Sequence, residues 1–251
     1  MKRAAILSGV LALAACGPDA PDPRTDVSGT VVVLAAASLT ESFTELGAIF
    51  EAAHPGSTVS FSFAASSELA TQVEQGAPAD VFASASPATM ALVVDNGDAA
   101  AAPVTFARNT LEIVVPAGNP AQVRGLEDFA RKSLTIALCA PEVPCGAAAD
   151  KAFAAAGVTP APDTLEADVK ATLGKVTLGE VDAAFVYRTD VLAAGDEVEG
   201  IEFPGAAAAV NDYPIAVLRN APNAAAAEAF VELVLSPEGS GVLMDAGFDV
   251  P

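Results

Sequence analysis

Positive charge is what this 251-residue sequence has least of: 12 Lys and Arg stand against 32 Asp and Glu, a formal net charge of −20. No basic patch is available to follow a phosphate backbone, which argues against nucleic acid as a partner. The same balance repels anions at long range, so an anion held here must be held by local, neutral donors. Histidine is nearly absent. The one present, His54, and three cysteines do not supply a clustered set of direct metal ligands. A serine nucleophile would also lack its base, because His54 closes a predicted helix just before Pro55-Gly56, at the end away from Ser38 and Ser66. A Gly-x-Ser-x-Gly elbow is missing as well. His54 reads as a solvated histidine favoured by a helix C-terminus, and a serine hydrolase is the weaker alternative. Internal repeats of fixed period are also missing.

What is present is a large apolar fraction, 52%, with 18% charged residues, enough for one large or two small globular domains. Lys2 and Arg3 precede an apolar run over 4–15 that is too short to span a bilayer, the form of an export signal. Leu13-Ala14-Ala15-Cys16-Gly17 resembles the bacterial lipobox, in which Cys16 becomes the lipidated first residue. We therefore expect a signal peptide over 1–15 and a Pro/Asp-rich flexible tether over 16–29. That places the protein outside the cytoplasmic membrane, anchored by lipid. In an oxidising compartment the remaining pair, Cys139 and Cys145, is expected to form a disulfide.

The body of the chain alternates strands and helices. Val31-Val32-Val33-Leu34 followed by small residues reads as a buried parallel strand, and Ser38 with Glu41 has the spacing of a capping box opening a helix through Phe50. Further strands are predicted over 58–63, 81–83, 104–106, 111–115, 134–138, 181–187, 198–203 and 213–218. Helices are predicted between them, among them 126–132, 146–156 and 168–178, with 224–235 and 237–246 closing the chain. This is an α/β pattern with mainly parallel sheets, in two lobes joined by two crossovers: 30–108 with 213–251, and 109–212. Ser38, Ser66-Ser67, Cys145-Gly146 and Asp168-Val169 fall at helix starts, and Tyr187 at a strand's carboxyl end. Unpaired amides and hydroxyls gathered in that way suit a small oxyanion.

Ala35-Ala36-Ala37-Ser38-Leu39-Thr40, Phe63-Ala64-Ala65-Ser66-Ser67 and Gly76-Ala77-Pro78-Ala79-Asp80-Val81-Phe82 resemble segments of the periplasmic molybdate-binding proteins of ABC importers. Pro141-Glu142-Val143-Pro144-Cys145-Gly146, Asp168-Val169 and Phe185-Val186-Tyr187 continue the match in order. The resemblance implies a two-lobed type II periplasmic binding protein fold that closes on molybdate or tungstate. It further implies hydroxyl and backbone donors at Ser38 and Ser66, backbone N–H donors at Cys145 and Val169, and a phenol donor at Tyr187. The metal would be held through its oxyanion oxygens, with no cofactor and no enzymatic activity. The implied partner is a membrane permease, and the implied state a monomer. The family often has alanine where Cys145 stands, a change that leaves a backbone donor in place. Sulfate or phosphate is the alternative ligand. Phosphate binders offer a carboxylate to a protonated oxygen, and Glu166 and Asp168 lie near one helix start, although Asp168 reads as a helix cap.

Overall fold

The computed structural model describes residues 27–251. The expected signal segment, the lipidation residue Cys16 and the tether up to residue 26 lie outside the described residues. The chain begins β1 (Gly29–Ala36), α1 (Thr40–Ala53), β2 (Ser57–Ala64), α2 (Ser66–Glu74), β3 (Val81–Ala83), α3 (Pro87–Asp95) and β4 (Val104–Asn109). It continues through β5 (Leu111–Pro116), β6 (Ile136–Cys139), α4 (Pro144–Ala156), β7 (Thr164–Glu166), α5 (Val169–Thr177), β8 (Ala183–Tyr187), α6 (Arg188–Ala194) and β9 (Val198–Ile201). It ends with β10 (Asn211–Val217), α7 (Ala224–Leu235) and α8 (Pro237–Asp245). No helix among the described residues is long and apolar enough to cross a membrane.

Two five-stranded sheets result, ordered β2-β1-β3-β10-β4 and β7-β6-β8-β5-β9. The sheets are mixed. In the first, β1 pairs in parallel with β2 and β3, whereas β10 is antiparallel to both β3 and β4. In the second, β6 is parallel to β7 and β8, whereas β5 is antiparallel to both β8 and β9. Four strands of each sheet therefore share one direction and one runs against them. The reversed strands, β5 and β10, are those that follow a passage from one sheet to the other. Each enters the new sheet from the opposite end, which a strand fed by a βα crossover does not do.

The apolar pattern explains the layers. In β1, Val31, Val33 and Ala35 join the core built with Phe43 and Phe50 of α1, Phe230 of α7 and Leu243 of α8. Leu34 points to the opposite face, against Leu69, Val73, Met90 and Val93 of α2 and α3. The second sheet packs around Phe129, Phe153, Phe185 and Phe203, whose rings meet at centroid distances of 5.1–5.9 Å. Full burial of each such ring contributes about 2–3 kcal/mol before conformational entropy is subtracted.

Three local features differ from expectation or refine it. The helix expected over 126–132 is a five-residue 3-10 turn, Leu126–Ala130. There Asp128 folds back to accept the Arg124 N–H at 2.6 Å, a local alternative to a longer helix. α4 starts at Pro144, two residues before the expected Gly146, because proline suits a first helical turn whose N–H has no partner. It stops at Gly157 in the left-handed conformation, as the sequence predicts. Asp80, within the Gly-Ala-Pro-Ala-Asp segment, is a structural clamp. Its two carboxylate oxygens accept the N–H groups of Val32 and Asn223, at 2.8 and 2.6 Å, tying β1 to the loop before α7.

Candidate anion-binding site

Segments at the ends of six strands, β1, β2, β3, β6, β7 and β8, converge on one cavity. Its walls include Ser38, Ser66, Cys145, Val169 and Tyr187. All five expected site residues are thus brought together, and all are buried.

Each arrives by a separate local mechanism. Ser66 is the first residue of α2, in which Leu69 N–H to Ala65 O is the earliest backbone bond, so the Ser66 and Ser67 amides precede the ladder. In α4 the first bond is Ala147 N–H to Val143 O, which leaves the Cys145 and Gly146 amides ahead of it. In α5 the Asp168 carboxylate accepts Ala171 N–H at 2.8 Å and its carbonyl accepts Thr172 N–H, so Val169 and Lys170 amides remain. Asp168 is a helix cap, as its position in the sequence suggests. His54 caps the C-terminus of α1, its ring 4.6 Å from that of Phe50, far along the helix from Ser38.

Ser38 departs from its expected local role. It does not cap α1, whose N-cap is Leu39 without any side-chain bond, and Glu41 closes no capping box. Ser38 lies instead in a 3-10 turn, Ala37–Leu39, with its Oγ 2.8 Å from the Tyr213 hydroxyl. The hydroxyl is thereby paired with Tyr213, and Glu41 is released for a different task. Its carboxylate accepts from Lys170 Nζ at 2.8 Å, joining α1 of the first core to α5 of the second.

Cys139 and Cys145 are joined through their sulfurs with Cα atoms 5.8 Å apart, so the loop between them folds tightly onto the start of α4. Gly146 makes this approach possible. A Cβ there would collide with the Ala140 carbonyl.

Electrostatically the cavity is ringed by neutral donors. Burial pushes the Tyr187 phenol well above its ordinary range, only partly offset by the hydrogen bond from Asn211, so the group stays protonated. Tyr213 is raised for the same reason. No lysine or arginine among the described residues lines the cavity, and Lys170 follows the lining residue Val169. Burial works against its ammonium, but Asp190 and Glu41 together hold it above the usual lysine value. Lys170 Nζ lies 3.1 Å from Asp190, so two carboxylates already offset its charge.

Several polar residues around the cavity carry no signal in the sequence. Asn211 donates to Tyr187 Oη at 2.7 Å, and Asn109 donates to Thr189 Oγ1 at 2.8 Å. The two asparagines are direct partners in the β4–β10 register. Tyr213 and Tyr187, the only tyrosines in the chain, meet with ring centroids 6.0 Å apart. Only the pairing of strands far apart in sequence assembles this group.

The family model described as bacterial extracellular solute-binding protein matches residues 31–249, which include all of both sheets but the first two residues of β1, and every residue named above around the cavity. The chain belongs to that family. The role of that family is to bind a solute outside the cell membrane rather than to transform it. It is 44% identical over 246 residues to the molybdate-binding protein ModA of Mycobacterium tuberculosis, covering 96% of this chain and 94% of that one. Among solved structures it resembles the periplasmic molybdate-binding protein of Azotobacter vinelandii, with a TM-score of 0.78 at 20% identity, covering 88% and 99% of the two chains. The sulfate-binding protein SubI of M. tuberculosis is nearly as similar in shape, with a TM-score of 0.77 at 19% identity and coverage of 88% and 86%. The solute-binding fold is therefore shared by binders of different oxyanions, and ligand identity rests on the site.

Proposed function

We propose that this solute-binding protein captures molybdate, with tungstate as a second ligand, between two lobes and delivers it to the permease of an ABC importer. The observation that carries the reading is the convergence of helix-start amides at Ser66, Cys145 and Val169 with Ser38 and the Tyr187 phenol on one small cavity. Neutral donors of this kind suit an oxyanion whose oxygens all accept. The relative at 44% identity, itself named for molybdate, supports the same ligand. Sulfate is the rival, because a sulfate binder shares the shape. Phosphate is less favoured, since Asp168, the one carboxylate lining the cavity, is engaged as the cap of α5.

In this reading the lobes are 30–108 with 213–251, and 109–212, and the protein works as a monomer. Residues 1–15 direct export and Cys16 carries the lipid anchor, so Cys16→Ser releases the protein from the membrane with its anion affinity unchanged. Retention of that variant at the membrane would contradict the anchor.

The composition provides a direct assay. The chain has no tryptophan and two tyrosines, Tyr187 lining the cavity and Tyr213 packed against it. Titrating molybdate into the protein should therefore change tyrosine emission saturably, and Tyr187→Phe should weaken binding about 10- to 150-fold, the equivalent of one lost charge-assisted hydrogen bond. Unchanged affinity in Tyr187→Phe would remove that residue from the site. No saturable response in the parent at millimolar molybdate would remove the function.

A further inference from the structure

The Tyr187 hydroxyl is both a donor and an acceptor, and which role it offers a ligand depends on what lies behind it. Behind it is Asn211, buried at the start of β10. The Asn211 amide nitrogen is 2.7 Å from Tyr187 Oη and 3.4 Å from the carbonyl oxygen of Pro144. A carbonyl can only accept, so the contact with Pro144 fixes which end of the amide faces the pair: nitrogen, not oxygen. The phenol oxygen then accepts from Asn211; the neighbouring Tyr213 hydroxyl, also within hydrogen-bonding reach, is engaged by Ser38 Oγ at 2.8 Å and Asn109 Nδ2 at 3.5 Å, so the single Tyr187 hydrogen is left for the cavity side. Tyr187 lines the cavity, and the cavity is where an acceptor would sit.

We propose that Asn211 is a positioning residue that occupies the Tyr187 oxygen and turns its O–H toward the bound oxyanion. Tyr187 then meets the ligand as a donor only. The inference rests on the oxyanion reading above and adds to it a residue outside the cavity wall. The same logic recurs at Ser66, whose Oγ accepts the Ala85 N–H at 3.0 Å and so keeps its own hydrogen for the cavity. There the backbone does the positioning; at Tyr187 a side chain does, which makes it testable. The arrangement favours a ligand oxygen without a proton, because a protonated oxygen would bring a hydrogen against the Tyr187 hydrogen. Asn211 also links Pro144, the first residue of α4, to the end of β8, so the phenol is aligned with the helix that presents the Cys145 amide.

The test is a double-mutant cycle read by calorimetric titration with sodium molybdate, using the parent, Asn211→Asp, Tyr187→Phe and the combined variant. A carboxylate at 211 accepts the phenol hydrogen and withdraws it from the ligand. Asn211→Asp should therefore weaken binding about 30-fold in the parent but only about 3-fold in the Tyr187→Phe background, where the residual loss is charge repulsion alone. Asn211→Leu, uncharged and similarly branched, provides the second arm: about 5-fold in the parent and no change in the Tyr187→Phe background. Ligand-free thermal melts identify any variant that does not fold, and if Asn211→Asp is one of them the leucine arm decides. Equal fold-changes in the two backgrounds would overturn the positioning role while leaving the oxyanion reading intact. A parent that binds no molybdate would overturn both.

Discussion

Asp190 is fully buried at the start of α6, where its carboxylate accepts the Tyr187 N–H at 3.2 Å and faces Lys170 Nζ at 3.1 Å. Burial pushes its pKa up to about 6, more than the Lys170 charge can offset. Between its ordinary value near 4 and about 6, the folded protein holds a proton that the unfolded chain has released. Stability contributed by this group is present at low pH and falls as pH rises through that window. The melting temperature of the parent relative to Asp190→Asn should therefore fall between about pH 4 and pH 6 and level off above about pH 7. A relative melting temperature that rises or stays constant across the window would contradict the burial argument. Asp190 also shows why single polar residues are hard to read in a sequence. Ser66, Cys145 and Val169 were legible because each falls at a helix start, where local pattern announces unpaired amides. Asn211, Asn109, Tyr213, Lys170 and Asp190 have no such local mark, and only sheet register and inter-helix packing give them partners. Ser38 lines the cavity without the local role its spacing suggests, because its hydroxyl is claimed by Tyr213, 175 residues away in sequence, and not by its own helix.

Helices and strands were mostly legible because each carries its own period. The 224–235 and 237–246 predictions fall on α7 and α8 to within one residue, helped by Ser236, which ends the first and caps the second by accepting Gly239 N–H. The reversed direction of β5 and β10 was not legible, since nothing in a strand's composition records the end from which it enters a sheet. The element that matters most for the site is α4, whose first turn is fixed by Pro144, by Gly146 against Ala140, and by the Cys139–Cys145 link. We expect that link to be oxidised in the exported protein, with no free thiol found at either position by mass spectrometry under non-reducing conditions. The loop it closes is short, so replacing both cysteines by serine should cost at most about 2 kcal/mol, less with Pro141 and Pro144 already stiffening the unfolded loop. A melting temperature lowered by about 4–8 °C is the corresponding upper range. Two alkylatable thiols in the native protein would refute the disulfide.

At the scale of the whole molecule, two cores carry complementary halves of one cavity, and the Glu41–Lys170 pair spans them. The molecule as a whole opposes its own ligand: a formal charge of −20 repels a dianion until neutral donors take hold at contact. Added sodium chloride should therefore speed association, by screening a repulsion that extends about 10 Å at 0.1 M salt. Stopped-flow tyrosine emission should show the association rate rising between about 10 and 200 mM salt, whereas a cation-lined site would show it falling. The central claim is that this cavity selects an acceptor-only tetrahedral oxyanion of molybdate size. Calorimetric titration of the same preparation with molybdate, tungstate, sulfate and phosphate tests it directly. Molybdate and tungstate should bind with nanomolar to micromolar affinity, sulfate at least about 100-fold more weakly, a difference of about 2.7 kcal/mol, and phosphate more weakly than molybdate. Equal affinity for sulfate and molybdate, or preference for phosphate, would contradict it.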